Sequence, residues 1–265
     1  MNVTNAYYRT TDFLRRIGAL SKTPRESHPL LESYLAGEAE NVQFYRGLSW
    51  AREQGEWGQH PEQPWQRYKN DEKNTYEAPL PLNAKWNGTQ YEIDVYQSVN
   101  KYCSILDFYV ETEVWIGRGR NIHAAPLWGW GTEVPPEYDV AELYSDEEHN
   151  YSCQSNFHHG DDYEENKKSI RAAKHAFFPE CRNLYGALFE YDVVTFFYNR
   201  HPVRQVKADD VNRYSEYWNV IVGAGMKEQS VLTKDNVEGV LYSAKVYKNT
   251  KYSPLFESAD DFIIA

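Results

Sequence analysis

The stretch Pro136-Glu137-Tyr138-Asp139-Val140-Ala141-Glu142-Leu143-Tyr144 sets three carboxylates within six residues of a run that otherwise reads as a buried strand. Side chains of an extended strand alternate faces, so Glu137 and Asp139 share one face while Glu142, five residues after Glu137, is directed to the other. One extra residue removes the mismatch. A β-bulge at Val140-Ala141 opposes two residues to one on the neighbouring strand and returns Glu142 to the face of Glu137 and Asp139. Retaining glycosidases use two carboxyl groups about 5 to 5.5 Å apart, one as nucleophile and one as proton donor and then base. Strand residues four apart stand wider than that at about 3.3 Å per residue, so sheet twist and side-chain reach must close the gap. The same spacing also suits a solvated acidic strand on an antiparallel sheet, and the surrounding chain has to decide between the two.

Outward from this stretch the chain is a series of short β-rich runs. Tyr91 to Val99, Ser104 to Ile116, Pro136 to Tyr144, Ser152 to His158, Tyr185 to Tyr191, Val193 to Asn199, Tyr217 to Val222 and Val240 to Tyr247 read as strands. Asn87-Gly88 and Asn199-Arg200-His201-Pro202 mark turns. Eight or more strands with little helix between them imply an all-β sandwich or jelly roll, and 265 residues suit one domain spanning 1–265. Glu164 to Ala176, rich in Glu, Lys and Ala, reads as an exposed helical excursion.

The N-terminal part differs. Residues 1–40 form an extension in which Asp12 caps a short helix over Phe13 to Leu20, and Leu30 to Leu35 forms a second one; the two either pack on the sandwich exterior or serve as an attachment or oligomer contact. An alternating run starts at Val42 and reaches Trp50. Residues 51–80 carry too many Gly, Pro and charged positions for regular structure. In that loop Trp57, Trp65 and Tyr68 are candidates for stacking on sugar faces, or for plugging the open end of the sandwich.

Composition narrows the partners. A net charge of −11 and a pI near 5.2 argue against nucleic acid or an anionic membrane, since no sustained basic stripe exists to meet phosphates. With 22 Tyr and 8 Trp at a mean hydropathy of −0.76, some aromatic rings are expected to line a groove for an uncharged ligand. Cys103, Cys153 and Cys181 have no metal-ligand or CxxC spacing and imply no disulfide framework. No apolar run resembles a signal peptide or a spanning helix, so no membrane partner is expected.

With the strand order in view, Arg118-Gly119-Arg120-Asn121-Ile122-His123-Ala124-Ala125-Pro126-Leu127-Trp128, followed by Glu137-Tyr138-Asp139-Val140-Ala141-Glu142, resembles glycoside hydrolase family 16. Members show a Gly-rich turn, a Trp-bearing strand and then Glu-x-Asp-x-x-Glu. Asn156-Phe157-His158-His159-Gly160, Tyr185 through Arg200, Tyr217 through Gly223 and Leu241 through Tyr247 resemble later strands of the family, in the same order. The likeness covers about residues 90 to 248 and is to the laminarinase, agarase, carrageenase and porphyranase branches. It implies a concanavalin-like β-jelly roll with an open cleft and retaining endo-hydrolysis of a β-linked polysaccharide, a β-glucan or β-galactan. Carried over by position, Glu137 is the nucleophile, Asp139 the assisting acid and Glu142 the acid/base. Tyr109-Val110-Glu111-Thr112 departs from the family's Phe-Glu-x-Arg and makes the subsites around it differ. The resemblance also suggests action outside the cell or on a virion.

Around the acids, Trp128 and Trp130 fall on one face of an alternating strand, with Trp128 assigned to the cleft floor or to core packing. His158 is a candidate donor to the acid/base or to a sugar hydroxyl. Arg118 and Arg120 are candidates for sulfate or carboxylate binding, or ordinary turn residues. Asp161-Asp162-Tyr163-Glu164-Glu165 lacks the spacing of a calcium loop and reads as a solvated face, so no cofactor or metal is expected. Two rivals use the same sandwich. A lectin or virion adhesin would bind carbohydrate without needing all three acids, and a polysaccharide lyase would need a Tyr or His base and a charge-neutralising Arg or Gln instead.

Overall fold

The computed structural model describes residues 28–52, 74–88, 90–103, 108–130, 137–146, 151–159, 164–165, 168–170, 179–190, 193–207, 217–224, 235–249 and 263–264. In chain order they form a 3-10 turn (Pro29–Leu31), helix α1 (Glu32–Leu35) and strands β1 (Ala39–Asn41), β2 (Phe44–Arg52), β3 (Leu80–Pro81), β4 (Ala84–Trp86), β5 (Gln90–Cys103), β6 (Phe108–Ile116), β7 (His123–Trp130), β8 (Glu137–Ser145), β9 (Tyr151–His159), β10 (Glu164–Glu165), β11 (Lys168–Ile170), β12 (Arg182–Glu190), β13 (Val193–Tyr198), β14 (His201–Lys207), β15 (Tyr217–Gly223), β16 (Gly239–Lys248) and β17 (Ile263–Ile264). Two antiparallel sheets result. One runs β1-β16-β6-β12-β13-β14 with β3 beside β16; the other runs β10-β9-β8-β7-β15-β5-β17, with β11 on β9 and β2 and β4 on β5.

Alternation explains why the sheets stack. Phe108, Val110, Val114 and Ile116 of β6 face inward, as do Tyr138 and Val140 of β8, Phe157 of β9 and Trp218 and Val220 of β15, all in one core cluster. Phe108 stacks on Phe189 at 4.7 Å, while Tyr138 packs edge-on to both Phe189 and Trp218. Each such ring, fully buried, contributes about 1.5 to 3 kcal/mol to folding. The odd positions of β6 face outward. Tyr109 joins Leu188, Phe197 and Tyr247 in a second cluster, covered by Leu31 and Tyr34 of the short helical segment. Residues 29–35 therefore pack on the sandwich exterior, the first of the two expected roles, and β1 extends the same outer sheet through β16.

Several expectations are corrected. Tyr109 and Glu111 stand on the outer face, where Arg200 Nε and Nη2 each donate to Glu111 at 2.8 Å and the Tyr109 hydroxyl donates at 2.9 Å. Tyr109 and Glu111 of the departing stretch thus stand on the side of the molecule away from β8, whereas Val110 and Thr112 face the core. The helix expected over Glu164 to Ala176 is replaced in its described part by β10 and β11, which pair with β9. Pairing with the edge of β9 outweighs the local helix propensity of this Glu- and Lys-rich segment, which is only a weak preference that tertiary context overrides. β14 went unrecognised because it opens with His201-Pro202; as the last strand of its sheet it has one unpaired side, where a proline removes no ladder bond. Asn199 and Arg200, both at positive φ (51° and 63°), make the expected tight turn into it. Phe13 to Leu20, residues 104–107 and most of the loop 51–80 lie outside the described residues.

Candidate active site

Strand β8 has the bulge that its spacing called for. Across β8 and β9, Asp139 pairs with Asn156 and Glu142 with Gln154, three steps on one strand against two on the other. On the opposite side Trp128 pairs with Asp139 and Leu127 with Ala141, so Val140 and Ala141 both turn inward and are completely buried. Strand β7 is irregular in its turn, taking three steps from Ala124 to Leu127 while β8 takes two from Leu143 to Ala141. Residues directly opposite in an antiparallel ladder share a face. Glu137 with His158, Asp139 with Trp128 and Asn156, Glu142 with Gln154, and Tyr144 with His123 therefore make one surface, the face of this sheet turned away from the core.

The acids fall into two groups on that surface. Glu137, Asp139 and His158 bring ligand-type atoms within 4.8 Å of one another, a grouping among the described residues also compact enough for a divalent cation. His158 Nε2 is 3.4 Å from Asp139 Oδ2 and 2.9 Å from Asn156 Nδ2. Phe157 N donates to Asn156 Oδ1, which leaves Nδ2 as the atom facing the imidazole. Nε2 therefore lies between the Asn156 amide nitrogen and the Asp139 carboxylate. Asp139 and His158 are buried, whereas Glu137 is partly open.

Glu142 forms the second group. Its Oε1 accepts from the Tyr144 hydroxyl at 2.7 Å and lies 3.2 Å from His123 Nε2. The His123 and Tyr144 rings stack at 4.6 Å, 9° from parallel, which fixes both around the carboxyl. Burial first, and then the charge of Glu142, raises the ionisation of Tyr144 far above the ordinary phenol range, so this hydroxyl remains a donor.

Trp128 stands opposite Asp139, half-buried and packed against the core cluster. Trp130 pairs with Glu137 through its backbone, and its side chain lies outside the described residues. Gly129 between them is required: a Cβ there would run into the Asn219 carbonyl and the Trp218 indole, where β7 and β15 approach closely. Arg118 and Arg120 are not brought to the acids. Arg118 pairs with Glu180 at 3.7 Å and Arg120 with Asp235 at 3.2 Å, in a turn whose Gly119 carbonyl accepts from Ser145 at the far end of β8. Trp57 and Trp65 lie outside the described residues, as do Asp161 to Tyr163; Glu164 and Glu165 pair with β9. His123, Tyr144 and Asn156 were not singled out in the sequence: the alternation after the bulge could have pointed to Tyr144, two residues from Glu142 on the same strand, whereas His123 and Asn156 depend on the register of neighbouring strands, which no linear spacing reports.

No family model and no curated protein matches the sequence. Among solved structures, an endo-acting O-glycanase expressed by prominent members of the human gut microbiota to initiate mucin breakdown aligns with a TM-score of 0.52 at 13% identity, over 64% of this chain and 79% of that one. A family 16 glycoside hydrolase of Bacteroides ovatus, from a mixed-linkage glucan system and in complex with the product G4G4G3G, aligns with a TM-score of 0.51 at 11% identity, over 67% and 83%. The chain has the fold of the family 16 glycoside hydrolases. That fold is the β-jelly roll expected from the strand pattern. Among the described residues, no helix is long and apolar enough to cross a membrane.

Proposed function

We propose that the protein is a divergent family 16 glycoside hydrolase, an endo-acting retaining enzyme on a β-linked polysaccharide. The observation that carries this reading is the bulge at Val140-Ala141, which puts Glu142 on the face of Glu137 and Asp139. A surface strand that merely carried solvated acids would have no use for it. In the mechanism, Glu137 attacks the anomeric carbon while the Glu142 carboxyl protonates the departing glycosidic oxygen, giving a covalent glycosyl-enzyme. Glu142 then takes a proton from the water that attacks this intermediate, and the configuration is retained. Asp139, grouped with Glu137 and 3.4 Å from His158 Nε2, is placed to assist the nucleophile as its charge changes. Trp128 offers a flat face to the sugar bound above it.

The substrate class we favour is a neutral β-glucan or β-galactan. The arginines that would recognise sulfate or carboxylate are engaged with Glu180 and Asp235, and the net charge of −11 disfavours polyanions. The test is reducing-end release from laminarin, mixed-linkage glucan, agarose, carrageenan and porphyran, with the anomer of the first product followed by NMR. Glu137→Gln is expected to abolish release while leaving binding intact. Undiminished release by that variant, or a product of inverted configuration, would overturn the assignment. Tight binding to a glycan with no release by the native protein would instead identify a lectin or adhesin on the same fold.

A further inference from the structure

Two bulges, in β7 and β8, put the acids and their neighbours on one face, and a bulge leaves backbone carbonyls out of the regular ladder. Those carbonyls point inward, where an unmet acceptor is expensive. The opposite sheet meets them with buried polar side chains. From β13, the Tyr198 hydroxyl is directed at Val140 O at 2.9 Å and Gln154 O at 3.2 Å. From β6, Thr112 Oγ1 donates to Pro126 O at 2.8 Å, on the irregular stretch of β7. From β14, Arg204 Nη1 donates to Ser155 O and Oγ at 3.0 and 3.2 Å. Ser155 lies between Asn156 and Gln154, directly across from the bulge in β8. Three polar contacts from the opposite sheet thus gather at the level of the bulges, within a core that is otherwise built largely from apolar rings and aliphatic chains among the described residues.

We propose that Tyr198, Thr112 and Arg204 are positioning residues: they lock the bulged strands from behind and so fix the separation of Glu137 and Glu142. The idea rests on the hydrolase reading of the same site. None of the three touches a substrate, which binds on the other face of the sheet. Burial holds the Tyr198 phenol far above its ordinary ionisation range, so its hydroxyl donates at any working pH. Loss of a brace leaves the bulge free to shift its register or tilt, and displacements near 1 Å in a catalytic constellation cost on the order of a hundredfold in rate.

The variants are Tyr198→Phe and Thr112→Val, which keep ring and volume but remove the donor, and Thr112→Ser, which restores it. Leu188→Ala, in the outer cluster away from the cleft, serves as a control for general destabilisation. On the glycan that the native protein cleaves, Tyr198→Phe and Thr112→Val are expected to lower kcat by about 10- to 100-fold with KM changed by less than about twofold, and Thr112→Ser to recover most of the loss. Hydrogen exchange should accelerate over residues 137–145 in the two defective variants and not in Leu188→Ala. An unchanged kcat, or a fall matched by Leu188→Ala at equal loss of melting temperature, overturns the proposal. If the native protein cleaves none of the glycans, the hydrolase reading fails by itself. The exchange data then judge the bracing alone, and unaltered exchange over 137–145 in Tyr198→Phe refutes it.

Discussion

Removing Ala141 should do far less harm than duplicating it. Val140 and Ala141 both point inward, so deleting one of them leaves Glu137, Asp139 and Glu142 outward and Tyr138, Val140 and Leu143 inward in a regular two-residue alternation. Asp139 still faces Asn156 and Glu142 still faces Gln154. What is lost is a buried methyl and the fit against Leu127 and Tyr198, worth about 1 to 3 kcal/mol. An extra alanine after Ala141 inverts every following residue of the strand. Leu143, now fully buried, would be exposed at about 2 to 3 kcal/mol. Glu142 would be pushed into the core beside Cys153 and Phe157, at several kcal/mol for an unpaired carboxylate. The insertion is thus expected to remove about 5 kcal/mol or more, comparable with the whole stability of an ordinary domain. Urea unfolding followed by tryptophan fluorescence and far-ultraviolet circular dichroism measures both variants. Equal destabilisation by deletion and insertion, or an insertion variant as stable as the native chain, would refute the account of the bulge. The deletion variant should also retain measurable hydrolysis, because the number of β9 residues spanned between Glu137 and Glu142 is unchanged.

Other consequences can be checked separately. Glu142→Gln is expected to lose about 100- to 10,000-fold in turnover on polysaccharide, yet to form glycosyl-enzyme from an aryl glycoside whose leaving group needs no proton, and azide should then release the trapped sugar with retained configuration; equal losses on both substrates would remove Glu142 from the acid/base role. Arg200→Met leaves Glu111 buried on the outer face with only the Tyr109 hydroxyl of the contacts described above, and should lower unfolding stability by about 3 kcal/mol, with kcat unchanged at temperatures where the variant is folded. Burial foremost, and then the charge of Glu142, pushes the Cys153 thiol far above the ordinary thiol range, so its thiolate is scarce across neutral and mildly alkaline pH. A thiol reagent at about pH 8 should therefore label the part-exposed Cys181 in the folded protein and reach Cys153 only in denaturant; rapid labelling of Cys153 in the folded state would contradict its placement.

Much of the sandwich was legible because inward and outward residues alternate along each strand. Val110, Val114 and Ile116 of β6 and the rings of β8 and β9 report their own burial, and Glu-x-Asp-x-x-Glu announces the bulge by the very fact that its acids would otherwise split between faces. Helical propensity misled at Glu164 to Ala176, where the open edge of β9 took the described residues as strands. Pro202 concealed β14, since a proline argues against a strand unless the strand is known to be an edge. The departure at Tyr109 looked like an altered subsite until the two sheets showed that odd positions of β6 face outward, beneath Leu31 and Tyr34.

By itself the amino-acid order determined the all-β class, most strand positions and the acidic row, because period-two hydrophobicity and a one-residue mismatch are local properties of the chain. Only the tertiary structure decided what surrounds that row. His123 meets Glu142 because β7 carries its own irregularity, Asn156 orients His158 by way of the Phe157 amide, and Tyr198 reaches Val140 from the opposite sheet, 58 residues away in sequence. Arg118 and Arg120 turn to Glu180 and Asp235 for the same reason: which charged group a side chain finds depends on how strands are stacked and paired, and stacking is settled by burial summed over the whole core.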